Sequence, residues 1–256
     1  MFGLFKSKPL LDEGTTQWLY DAFAWALANF DQDLFYHQTR LVAPIDEHFP
    51  DRSDNPQELA QKILARMQSY AHMQNWPLQL AQLPPEGVQI TTPRFEVIGK
   101  ARGESARIKL HDDATHLSVF FDAAKTQSPD VLIVNLAQGL GYYLAQSAGS
   151  KPPGGDEYSA HAADLLAIFM GFGLFYANNA FSVCKGSCGG CGSSVQAFGM
   201  LTEDESTYAY ALFCTLKDIP AKDAERHLKS TVRPFFKMAL KEIKSNTEEL
   251  ARLQAI

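Results

Sequence analysis

Cysteine is absent from the first 183 residues of this 256-residue chain, and three of its four cysteines then crowd into Cys184-Lys-Gly-Ser-Cys188-Gly-Gly-Cys191. A surplus of basic charge is missing as well. The net charge of −6 and pI of about 5.6 argue against a nucleic-acid partner, which calls for a basic patch or stripe. The densest basic stretch, Lys217 to Lys244, interleaves acids with its bases and reads as a solvated helix face. No targeting segment is expected: Met1-Phe2-Gly3-Leu4-Phe5-Lys6 is too short for a signal core and lacks a small-residue cleavage site. The expectation is a cytoplasmic protein, and in that compartment clustered thiols are metal ligands or redox groups rather than structural disulfides. Internal repeats and low-complexity segments are absent too.

Two uncharged stretches, 131–150 and 165–183, are each about as long as a bilayer-spanning helix. The first holds Asn135, Gln138, Gln146 and three glycines; the second holds Asn178 and Asn179 beside Gly171 and Gly173. Such polar content is costly in lipid. Both are expected to be buried core helices, with no membrane as partner.

What is present makes an α+β chain, read as a single domain over 1–256. Residues 1–86 form a mixed, largely helical part. Trp18, Ala22, Trp25, Ala26 and Phe30 recur at helical spacing. Leu41-Val42-Ala43-Pro44 reads as a short strand ended by proline. Asn55-Pro56-Gln57-Glu58 opens a helix with Asn as N-cap and Pro in the first turn. Leu59, Ile63, Met67, Tyr70 and Met73 then supply its apolar stripe. From 87 to 122 the period becomes two, with Val88/Ile90, Phe95/Val97, Ala106/Ile108/Leu110 and Leu117/Val119/Phe121 alternating against polar neighbours. This pattern predicts an antiparallel β meander. From 130 to 256 the chain reads as packed apolar helices, with the cysteine loop at 184–191. A capping box at Thr202-Glu-Asp-Glu205 starts the helix that carries Cys214, and Ala221 to Ile256 is helical with a kink or break at Pro234.

The order of these elements, with Leu136-Ala-Gln-Gly-Leu-Gly-Tyr142 on one helix and the run from Asp164 to Asn178 on the next, resembles a bacterial family of zincin-like proteins. Lys8-Pro-Leu-Leu-Asp12, Trp18 to Trp25 and Arg233-Pro-Phe-Phe-Lys237 share in the resemblance. Members of that family are similar to thermolysin-type zinc peptidases, with His-Glu-x-x-His on the first helix and Glu-x-x-x-Asp on the second. Two histidines four apart share a helical face, a glutamate from the next helix completes the set, and the remaining glutamate takes a proton from zinc-bound water. On that pattern this chain has Gln138 and Tyr142 at the histidine positions, Gly139 at the general base and Ala160 at the third ligand. Only Asp164, the carboxylate expected behind the ligands, matches. The resemblance therefore implies a degenerate, non-catalytic member with a remnant cleft at Gln138, Tyr142 and Asp164. A one-residue shift in register does not restore the site, because no His or Glu occurs between Asp130 and Asp156.

The cysteine loop offers chemistry of its own. Three thiolates on a glycine-rich loop can converge on one ion, and zinc is the expected metal, through Cys184, Cys188 and Cys191. A closed zinc site needs a fourth ligand, either Cys214 on the following helix or His161 on the preceding one. An iron–sulfur cluster is the competing cofactor, since Cys-x3-Cys-x2-Cys is also the spacing of radical enzymes. Those enzymes place most of a barrel after the motif, whereas only 65 residues follow Cys191 here. Transient redox pairing and inert thiols on a glycine-rich lid also remain open. Two functions are expected: a binding or regulatory module for a protein or small-molecule partner, or a metal- or redox-dependent protein centred on the cysteine loop.

Overall fold

The computed structural model describes residues 8–83, 91–121, 128–179 and 199–256. The chain is a mixed helix-and-strand fold with packed helices. Helix α1 (Glu13–Asn29) is capped by Asp12, whose side chain accepts the Thr15 N–H, and it buries Leu19, Tyr20, Phe23, Trp25 and Ala26. A short α2 (Gln32–His37) follows. Helix α3 (Pro56–Tyr70) starts as the sequence predicts: Asn55 accepts from the Gln57 and Glu58 N–H groups, with Pro56 in the first turn.

The strands depart from a single meander. Strand β1 (Leu78–Gln82) pairs in parallel with β4 (Leu117–Phe121), while β2 (Phe95–Ile98) and β3 (Arg107–Leu110) form a separate antiparallel pair. The Val88/Ile90 segment lies outside the described residues. Period-two alternation marks a half-buried strand but names neither its neighbour nor its direction. Both pairs here are settled by what each covers. Leu78, Leu117, Val119 and Phe121 turn into the core, and the Trp76 indole N–H reaches the Ala101 carbonyl at 2.8 Å to join the two pairs. Residues 41–43 are likewise not a strand. The Val42 N–H bonds the Gly171 carbonyl at 3.0 Å and the Ala43 N–H bonds His48 Nδ1 at 2.8 Å, with no strand partner among the described residues.

Helix α4 (Pro129–Gln146) crosses β4 and lies against α5 (Ser159–Ala167). A Cβ at position 141 would meet the Ala163 carbonyl oxygen at 2.0 Å, so this close crossing requires Gly141. After α5 the helix loosens into a π-type turn, Ile168–Phe172, and resumes as α6 (Gly173–Asn179). The break falls at Gly171, with φ of 102°, where a side chain would strike the Arg40 carbonyl. Counted by length and composition, the run Gly155–Asn179 is apolar enough to cross a membrane, yet 89% of that window is buried inside the fold. The other uncharged stretch also packs inward, through Leu132, Ile133, Leu136, Leu140 and Leu144 of α4.

Helix α7 (Glu203–Leu216) begins at the expected capping box, with Thr202 and Glu205 bonding reciprocally. The C-terminal stretch is helical but interrupted twice: α8 (Ala221–Glu225), α9 (Arg233–Ser245) with Pro234 in its first turn, and α10 (Thr247–Gln254) after a turn at Asn246. Proline thus starts a helix here rather than kinking one.

Candidate functional site

Asp164 is the centre of the site. It sits on α5 with no exposure to solvent, in a run of apolar residues where a carboxylate survives only if its oxygens are fully engaged. Gln138 Nε2 on α4 donates to Oδ1 at 3.1 Å, and the Tyr176 hydroxyl on α6 donates to the same oxygen at 3.2 Å. On Oδ2 the backbone N–H groups of Met200 and Leu201 converge, the latter at 3.1 Å. One side chain therefore ties α4, α5, α6 and the start of the 199–202 segment together. Gly199 makes this possible: its φ is 120°, and a Cβ there would lie 2.8 Å from Asp164 Oδ2.

Burial outweighs the four donors and raises the Asp164 carboxyl from its ordinary value to about 6. Burial and the neighbouring carboxylate together push the Tyr176 phenol well above its usual range, so it stays a donor. Tyr176 and the two backbone amides are members of this network that the sequence reading did not single out. The available signal was a lone phenol within an otherwise apolar helical run.

The remnant-cleft residues separate into a buried pair and an exposed neighbour. Gln138 is half-buried on Asp164, whereas Tyr142, one turn later, is 41% exposed and its hydroxyl lies 3.3 Å from Thr92 Oγ1. Ala160 is also exposed. At Gly139 a Cβ would approach Val119 Cγ1 to 2.9 Å, so Val119 of β4 leaves no room for a side chain there without moving. These residues do not fit a catalytic zinc. The donor atoms they offer are the Gln138 amide oxygen and the Tyr142 phenol oxygen, neither a common zinc ligand, and positions 139 and 160 supply no ligand atom.

Cys184, Cys188 and Cys191 lie outside the described residues. Their flanks are held: Asn178 donates to the His227 carbonyl and accepts from the Lys229 N–H, both at 2.9 Å, and on the far side Met200 and Leu201 are fixed to Asp164. The two alternatives for a fourth ligand have different surroundings. Cys214 is buried in α7, and burial pushes its thiol up to about 12, with Tyr210 as its hydrogen-bond partner. His161 packs beside Trp18 and Tyr158, and its Nδ1 is buried without a hydrogen-bond partner among the described residues. Among the described residues no group of three or more His, Cys, Asp or Glu side chains is placed to hold a metal.

Arg102, buried and unremarked in the sequence, donates to the Ala71 carbonyl at 2.9 Å and to Thr39 Oγ1 at 3.0 Å, with Phe169 beneath its guanidinium. It joins the β2–β3 connection to α3 and the π-type turn, which makes it a structural cation. Comparison of the chain with protein-family models, with curated proteins and with solved structures returns no match.

Proposed function

We propose that this chain is a non-catalytic, zincin-like binding or regulatory module that carries a separate zinc site on its cysteine loop. The observation that carries the reading is the 3.1 Å bond from Gln138 to Asp164 across the α4–α5 crossing. In zinc sites the ligating histidine donates its second ring N–H to a carboxylate that fixes its orientation. Gln138 stands at the first histidine position of the resembled pattern and makes that same bond with an amide. The scaffold bond persists where the ligand atom does not. Exposed Tyr142 and Ala160 then border a surface available to a partner, and Val119 leaves no room for a side chain at position 139 without moving.

The zinc site rests on spacing: three soft ligands within eight residues, separated by glycines, favour zinc over magnesium or calcium. Of the two fourth ligands, His161 has a buried nitrogen without a partner among the described residues, while Cys214 would have to give up a thiol proton held tightly by burial. One preparation tests both halves. Protein purified anaerobically from zinc-replete cells is expected to carry about one zinc, lost in Cys188→Ser, and to hydrolyse no peptide. Peptide hydrolysis that a chelator abolishes and Cys188→Ser leaves intact would overturn the non-catalytic reading. Visible absorption from a cluster, or less than about a tenth of an equivalent of any transition metal, would overturn the zinc site.

A further inference from the structure

A cleft of about 560 Å³ lies where the ends of α1 and α4 meet the start of α2 and the β2–β3 turn, and its lining includes Leu27, Asp31, Val97, Lys100 and Ile256. Both long helices close on it: Leu27, Ala28 and Asn29 end α1, and Ser147 and Gly149 follow α4. Neither helix has a basic residue in its last turn, so the partial negative charge of each C-terminus is left uncompensated from within. The Leu27, Ala28 and Asn29 carbonyls accept from no backbone N–H among the described residues. Asp31 adds a carboxylate whose side chain is only 13% exposed. Its Oδ1 accepts the Leu34 N–H at 3.2 Å, capping α2, and its Oδ2 takes the Lys100 ammonium at 2.6 Å. Lys100 is the one cationic side chain of the lining, and it is 64% exposed.

We propose that this cleft binds an alkylammonium group, carried by a free aliphatic diamine or by a lysine side chain of a partner. The ammonium sits at Asp31 and the open carbonyls that end α1, and the alkyl chain lies along Leu27, Val97 and Ile256. The volume falls in the ordinary range of small-molecule sites. Lys100 is the internal precedent: a lysine ammonium already seats on Asp31, held through an exposed chain. An exposed ion pair contributes little, so a ligand displaces Lys100 at small cost, and Lys100 acts as a built-in competitor. A divalent metal fits less well, because such ions take several oxygen ligands of high charge and Asp31 is the only carboxylate side chain of the lining. An anion would meet two helix C-termini of its own sign. The site is independent of the remnant cleft and of the cysteine loop, with which it shares no lining residue.

The test is isothermal titration calorimetry at low salt with diaminobutane, with butanediol as its neutral counterpart, and with Nα-acetyl-lysinamide as a free lysine side chain. The wild type is expected to bind the diamine saturably with Kd below about 1 mM, and the diol about tenfold more weakly or not at all. Asp31→Asn keeps both the cap on Leu34 and a residue type that tolerates the left-handed backbone there, φ 59°. It is expected to weaken diamine binding about tenfold, with an unchanged circular dichroism spectrum. Lys100→Met removes the competitor and is expected to tighten binding about fivefold, the worth of an exposed ion pair. Tighter binding of the lysinamide than of the diamine would support a partner's lysine as the source, and the reverse a free amine. No saturation of the wild type by about 10 mM, equal affinity for the diol, or unchanged affinity in Asp31→Asn would each overturn the proposal. So would weaker binding in Lys100→Met, which would make Lys100 a contact rather than a competitor.

Discussion

Replacing Asp164 with asparagine removes a charge and keeps a shape, and the groups packed around the side chain set the consequence. The carboxyl is raised from 3.8 to about 6 by burial. Between those values the folded protein holds a proton that the unfolded chain has released, so stability falls as pH rises. The contribution is fully present below about 3.8 and lost above about 6, and a difference of roughly two units corresponds to about 3 kcal/mol. Asparagine has no such dependence. Its oxygen can take the place of Oδ2 before the Met200 and Leu201 N–H groups, which only donate. Its nitrogen then faces Gln138 and Tyr176, and both can reverse role, the amide by flipping and the hydroxyl by rotating. Asp164→Asn therefore keeps four contacts and loses the pH slope.

The assay is urea unfolding of wild type and Asp164→Asn from pH 4 to pH 8, compared as a difference so that other titrating groups cancel. Relative to the variant, the wild type is expected to lose about 2.5 kcal/mol across that range, the rest of the roughly 3 kcal/mol having gone below pH 4. Parallel curves, or a wild type that gains on the variant as pH rises, would refute the reasoning. The latter would mean that four donors outweigh desolvation. Asp164→Ala serves as contrast: it strands the Met200 and Leu201 N–H groups at every pH and costs roughly 2–6 kcal/mol.

Gly141→Ala places a methyl 2.0 Å from the Ala163 carbonyl oxygen, so the α4–α5 crossing has to open; a loss of about 3 kcal/mol is expected in urea unfolding, and one below about 1 kcal/mol would show that the helices separate freely. Thr202→Ala removes one half of the capping box and is expected to cost about 1 kcal/mol, measured the same way. Cys214, with its thiol pushed up to about 12, is expected to resist an aromatic disulfide reagent at pH 8 until the protein unfolds. Rapid native labelling at that position, located by mass spectrometry in Cys184→Ser/Cys188→Ser/Cys191→Ser, would contradict the buried environment.

The features legible in the sequence are those fixed within a few residues. Asn55 and Thr202 cap helices because their side chains bond amides two or three positions onward, and a short window contains all the information needed. Strand pairing is different. Leu78–Gln82 alternates as the later strands do, yet it lies outside the predicted meander and pairs with Leu117–Phe121, 39 positions away in register. That parallel pairing follows from which faces the helices cover, and periodicity is silent on it. Charge order misleads in the same way. Three acids sit among the seven bases of 222–244, and Glu242 and Glu225 turn to the Leu10 N–H and to Lys237, so the outward side of α9 is more cationic than the interleaved sequence suggests.

Asp164 shows both sides of this limit. An acid inside a long apolar run marks itself, because an unpartnered buried carboxylate would cost more than the fold can supply. Its partners are another matter: Gln138 precedes it by 26 positions, Tyr176 follows by 12, and the Leu201 amide by 37. None of these separations is a helical period. They meet only because Gly141 lets α4 approach α5, Gly171 breaks the helix before α6, and Gly199 admits the returning chain. Three glycines that look like interruptions in the sequence are thus what allow a single carboxylate to gather four donors. A change at any of them is therefore expected to disturb the site without touching a polar group.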